Sequence, residues 1–131
     1  MKALSIVRPG GGKIASGQKT LEVRRWCPEL SPAEELLIVE NDKFLRVDGE
    51  EDPNGVAVAV VQVKKVRPFL PGDVDAACAT SFEEGWFGWE LSNVRPIEPI
   101  AGMRAARRIY DVPLLARNLR YLSDGNKKGR F

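Results

Sequence analysis

The chain has 131 residues, is 44% hydrophobic and 29% charged, and carries a formal net charge of +2. That is enough for one domain with a core of its own, and the balance is ordinary for a soluble globular protein. Histidine is absent and cysteine stands only at Cys27 and Cys78, which excludes Ser-His and Cys-His nucleophile systems, histidine-ligated zinc and a disulfide framework.

No run approaches the ~18 apolar residues of a membrane helix. The first residues lack the apolar core of a signal peptide, so the expectation is a cytoplasmic protein with no membrane partner and with both cysteines as buried thiols. The charges are unevenly placed. Residues 1–28 hold six basic and one acidic, a net +5; residues 29–52 hold two basic and nine acidic, a net −7; residues 101–131 hold eight basic and two acidic, a net +6. Such asymmetry suggests a basic face for a polyanion beside an acidic insertion, or else plain solvated surface.

In chain order, residues 2–8 read as a strand, with Leu4 and Ile6 on one side, Arg8 at its exit and Pro9 ending it. Gly10 to Ser16 reads as a short helix or turn, weakened by three glycines that each cost roughly 1 kcal/mol against alanine in a helix interior. The run Gly10-Gly11-Gly12-Lys13 lacks the Gly-x-x-x-x-Gly-Lys-Ser/Thr spacing of a phosphate loop. Its N–H groups and the Lys13 charge still suit close approach to an anion. A turn at Ser16-Gly17 leads into a short strand. Thr20, Glu22 and Arg24 share one face of it, and Leu21 and Val23 take the other. The polar face is expected to line a cleft, with Lys19 an exposed side chain at the strand entrance swinging toward it.

Trp26 comes next, either as a core residue at the sheet edge or as an aromatic platform for a base. Leu36 to Glu40 is a short strand. Residues 41–54 are an acidic, turn-rich insertion in which Lys43 to Val47 forms a hairpin arm. Val56 to Val66 is the clearest strand, apolar on both faces in its first half and so buried on both sides. Asp73 caps a short helix reaching Ala79, with Val74 and Cys78 facing in. Trp86 to Val94 is a long strand whose stripe of Phe87, Trp89 and Leu91 is expected in the core, with Arg95 at its end. Arg104 to Val112 is the last strand, Arg-rich on its outer side. Pro113 opens a C-terminal helix with Leu115, Leu119 and Leu122 as its apolar stripe, stopped by Ser123-Asp124-Gly125. Residues 126–131 form a basic tail expected to be disordered. The class is α+β, a small mixed β-barrel.

The pattern Gly17-x-Lys19-Thr20-x-Glu22-x-Arg24 resembles the signature of the ASCH domain, a member of the PUA-like superfamily. Met1-Lys2-Ala3-Leu4-Ser5-Ile6-Val7-Arg8-Pro9 resembles the family's first strand and the proline that starts its first helix. Trp89-Glu90-Leu91-Ser92-Asn93-Val94-Arg95-Pro96-Ile97 resembles its later strand. The three motifs lie in order over residues 1–97. Family members often carry bulky apolar residues after the proline, where this chain has Gly10-Gly11-Gly12-Lys13. The resemblance implies a PUA-like mixed β-barrel over residues 1–125, with short helices at its openings and a C-terminal helix.

The candidate ligand-binding residues are Arg8, Lys13, Lys19, Thr20, Glu22, Arg24, Trp26 and Arg95. One carboxylate among several cations is the composition of a site for an anionic, hydrogen-bonding ligand such as a nucleotide: arginine offers a planar fork to phosphate, lysine a point charge. Glu22 can accept from a base amino group or hold Arg24 in place. The competing reading is a structural ion-pair network at the barrel rim. The resemblance implies RNA or a modified nucleotide as partner; no cofactor and no metal are expected; Trp26 and the arginines of residues 104–120 suit RNA. Some small relatives deacetylate N4-acetylcytidine with a Lys, a Thr and a Glu, and others are linked to RNA cleavage. Lys19 matches that lysine, but Glu22 stands where the threonine falls, and Glu83 or Glu84 is the candidate third group. If the chain is an enzyme, Lys19 and Glu22 are its catalytic residues. A lysine base needs its pKa lowered from ~10.4 toward neutrality, which a carboxylate at Glu22 opposes. Oligomeric state is left open.

Overall fold

The two long apolar stretches of the chain become its two long strands. The computed structural model describes residues 1–122. In it β4 (Glu51–Pro68) and β5 (Phe87–Ala106) pair antiparallel from end to end. β1 (Lys2–Val7), β2 (Leu21–Arg24), β3 (Leu36–Asn41) and β6 (Ile109–Asp111) complete a six-stranded sheet of order β2-β5-β4-β3-β1-β6. β1 and β3 are parallel; the other neighbours are antiparallel. α1 (Gly10–Ala15) is the one α-helix among the described residues, beside short 3-10 turns at Pro71–Asp73 and Ala116–Asn118.

Both faces of the sheet are apolar, as the Val56–Val66 pattern predicts. Leu4, Ile6, Leu36, Ile38, Ala59, Val61 and Trp89 pack on one face under Ile14 of α1, and Ala3, Leu37, Val39, Ala57, Val60, Ile97 and Ala105 on the other. Strict alternation would put Ala57 and Ala59 on the same face. The β4–β5 register slips between them, and a one-residue slip sends the residues beyond it to the opposite face. Such bulges also bend the strands. The glycines of α1 are there because the packing is close. A Cβ on Gly11 would lie 2.8 Å from Glu40 Cβ, so the helix backbone rests directly on β3.

Several expected elements differ. The barrel is not closed: β2 and β6 are the free ends of the sheet, and four- and three-residue strands offer too little ladder to close it. The C-terminal helix is replaced by an extended segment with one 3-10 turn. β2 pairs with β5 only as far as Glu90, which leaves a free edge beyond. Ile97 bridges to Tyr121, Glu98 N–H donates to Arg120 O and Leu122 N–H to Pro96 O. The edge thus captures the segment, and Leu115 and Leu122 stay half-exposed.

Asp73 to Ala79 is a run of irregular turns, not a helix. Its N–H groups bond three, four and five residues back, and Cys78 takes a φ of 52°. Ala77, not Cys78, is its buried residue. Lys43–Val47 forms no hairpin arm: Phe44 and Val47 are exposed, and the Glu50 carboxylate accepts from Arg46 N–H instead. The expected Arg104–Val112 strand is two, split at Arg107-Arg108 by a φ of 58° at Arg108. The Ser123-Asp124-Gly125 stop and the tail lie outside the described residues. Among those described, no helix is long and apolar enough to cross a membrane.

Candidate functional site

The segment before β2 is clamped between two neighbours. Lys19 N–H donates to Lys13 O of α1, and the N–H groups of Thr20 and Leu21 both point to Ala76 O. Leu21 drops into a small apolar cluster with Phe69 and Ala77. Strand alternation then turns Glu22 to the opposite side, where it is 5% exposed.

Glu22 sits between two cations. Arg24 Nε donates to its Oε2 at 2.6 Å, and Lys19 Nζ lies 3.2 Å from its Oε1. Each cation is also tied to a carbonyl elsewhere. Lys19 Nζ donates to Ala77 O at 2.6 Å, and Arg24 Nη2 to Ser5 O of β1 at 3.0 Å. Burial alone pushes the Glu22 carboxyl up, but the charges and hydrogen bonds of Arg24 and Lys19 outweigh it and hold the carboxyl below its ordinary range. The triad therefore stands ionised, with one positive charge in excess, and links β2, β1 and the Val74–Ala79 turns. Sequence reading expects Lys19 to be exposed; it is 9% exposed, because the Ala77 carbonyl folds over it.

The triad lies in a cleft of about 950 Å³, whose lining holds eight Lys or Arg side chains against the two carboxylates of Glu22 and Glu83. Of the residues singled out in the sequence, Arg8, Lys13, Lys19, Glu22, Arg24 and Trp26 line it. Arg8 sits exposed on the rim, paired with Asp42 at 2.8 Å. Trp26 is half-buried edge-on against Trp89 at 5.0 Å, and Arg108 lies over its ring at 5.0 Å. Gly12 N–H donates to the Glu40 carboxylate at 2.9 Å, so this N–H of the glycine run is taken by the protein's own anion.

Two candidates fall outside the cleft. Thr20 precedes β2, is exposed and serves through its backbone. Arg95 lies in mid-β5 opposite Val60, pairs with Glu35 and covers the Tyr121 ring at 5.4 Å. Lys43, Phe44 and Trp86, which sequence reading did not single out, also line the cleft, as do Arg107 and Arg108, two of the arginines of residues 104–120 that it associates with RNA. The basic excess of residues 101–131 was the signal for the last two. Phe44, an exposed aromatic inside an acidic insertion, was the signal for the first pair. Glu83 lines the cleft and Glu84 does not.

A family model described as the ASCH domain matches residues 4–101. Two similar solved structures are crystal structures of mutant ZmASCH proteins from Zymomonas mobilis, one serine-to-alanine and one tyrosine-to-phenylalanine. Each has a TM-score of 0.54 and covers 76% of this chain; identities are 18% and 17%, and coverage of those chains is 72% and 73%. At that identity the likeness speaks for the fold alone. No curated protein matches the chain.

Proposed function

The chain belongs to the ASCH domain family, and from that premise we propose that its cleft binds a nucleotide, free or within RNA. The observation that carries this reading is the charge of the lining, eight basic side chains to two acidic, around an ionised floor triad. Rim cations such as Lys13, Lys43 and Arg25 meet phosphate, where lysine acts as a point charge and arginine as a fork. Trp26 and Trp86, each under an arginine at 5.0 and 5.2 Å, offer flat faces for bases. The floor cations present donors to base acceptors, and Glu22 keeps them in position.

Binding is favoured over turnover. Lys19 Nζ is a donor to Ala77 O and faces Glu22, so its nitrogen is not offered to a substrate as a base. The test is RNA affinity against salt. Neutralising two to four phosphates on a single strand gives a log–log slope of about −1.5 to −3. Lys13→Glu should weaken binding and flatten that slope. A flat response in the native protein, or no binding of RNA or of ribonucleoside monophosphates at low salt, overturns the reading.

A further inference from the structure

We propose that the ligand is a single-stranded RNA of at least two nucleotides, whose second base lies in a separate hollow beyond Trp26; this rests on the cleft reading above. A depression of about 520 Å³ adjoins the main cleft, and Trp26 and Arg108 line both. The two hollows therefore meet across one stacked pair. The Arg108 guanidinium lies over the Trp26 ring at 5.0 Å. Three other cleft arginines are committed, Arg8 to Asp42, Arg24 to Glu22 and Arg107 to Asp48; Arg25 lies over Trp86 and lines only the first hollow. Among the described residues no carboxylate pairs with Arg108. Its fork of donors is thus open at the crossing point, which is where the phosphate joining two nucleotides would pass.

The second hollow has a different chemistry from the first. Trp26 and Tyr110 give it aromatic walls and Ile109 an aliphatic one. The Tyr110 ring is rigidly placed, its hydroxyl hydrogen-bonded to Ser5 Oγ and Arg104 O, both at 2.9 Å. The carboxylates of Glu29 and Asp111 balance Lys2 and Arg108. A hollow without excess positive charge is poor for phosphate. It suits an uncharged planar group with amino edges, which is a nucleobase. Alternation of a basic crossing and a neutral, aromatic-walled hollow is the repeat of a polynucleotide with its bases splayed apart, the form in which single strands are read. A lone mononucleotide occupies the first hollow and leaves the second without a role.

The experiment measures binding of a random-sequence tetraribonucleotide and of the four ribonucleoside 5′-monophosphates by titration calorimetry. Two substitutions fill the second hollow from exposed positions that do not line the first: Cys27→Trp and Glu29→Trp, each checked for a native melting profile. The tetranucleotide should bind the native protein at least about tenfold more tightly than any monophosphate, as expected for one further stacked base. Each filled variant should erase most of that gain and leave monophosphate affinity within about twofold. A tetranucleotide no tighter than the monophosphates overturns the second hollow while leaving the cleft reading intact. So does a folded variant that weakens neither ligand or both alike. Absence of any binding to the native protein overturns the cleft reading itself, and this inference with it.

Discussion

Glu22→Gln removes one charge from the floor of the cleft and keeps the shape. In the native protein the carboxylate is buried and balances two cations, Lys19 at 3.2 Å and Arg24 at 2.6 Å. Lys19 is itself 9% exposed, so the variant leaves a buried ammonium facing an amide. Breaking a buried pair by removing one partner costs about 3–5 kcal/mol. Ala77 O still accepts from Nζ and Ser5 O from Arg24, which argues for the lower end, about 3 kcal/mol. For a domain of this size that is a fall of roughly 10 °C in the melting midpoint. The sign of the pH dependence comes from the depressed folded-state pKa of Glu22. The folded protein binds that proton less readily than the unfolded chain. The contribution is therefore complete above the ordinary carboxylate value of about 4.3, and is lost as pH falls through the folded pKa. Urea denaturation of native protein and variant at pH 7 and at pH 3 measures both effects. The gap between them should be largest at pH 7 and narrower in acid. A loss under about 1 kcal/mol at pH 7, or a gap that does not change with pH, would refute the argument that the triad is an ionised, buried unit.

Three further outcomes are expected. Gly55→Ala should destabilise the protein by about 1–3 kcal/mol in urea, since its Cβ would meet Val39 Cγ1 at 2.6 Å and the Met103 carbonyl at 2.7 Å; unchanged stability would show that β4 has room to move there. Arg67→Met should destabilise at pH 7 and converge with the native protein in strong acid. The Arg67 hydrogen bonds hold Asp73 and Glu90 below their ordinary values, so their share of stability is present above pH ~4 and lost below it; a urea-midpoint difference that persists unchanged at pH 2.5 contradicts this. The native protein should release no appreciable cytidine from N4-acetylcytidine at neutral pH, read by chromatography. Multiple turnover abolished by Lys19→Ala would replace binding with deacetylation as the function.

The strands and the heart of the cleft were legible because they rest on local rules. Period-2 alternation puts Glu22 and Arg24 on one face with Leu21 on the other, and the structure pairs them there. The doubly apolar run from Val56 marks a strand covered on both sides, and β4 has a core against each face. The Gly-x-Lys-Thr-x-Glu-x-Arg run and its flanks pointed to the family whose model matches residues 4–101. What escaped depended on partners far along the chain. Lys19 is buried because a carbonyl 58 residues away closes on its ammonium. Arg95 leaves the site, and Arg107 and Arg108 enter it, because β5 runs on through Pro96 and Pro99 to Ala106 before it turns. The Leu115, Leu119 and Leu122 spacing describes a helix face, but a helix needs a second layer to bury that face. The free edge of β5 offered backbone hydrogen bonds instead, and the segment lies extended along it. Alternation is a property of neighbouring residues; which edges stay open, and which side chains meet in a cleft, is decided by strand pairings between distant ones.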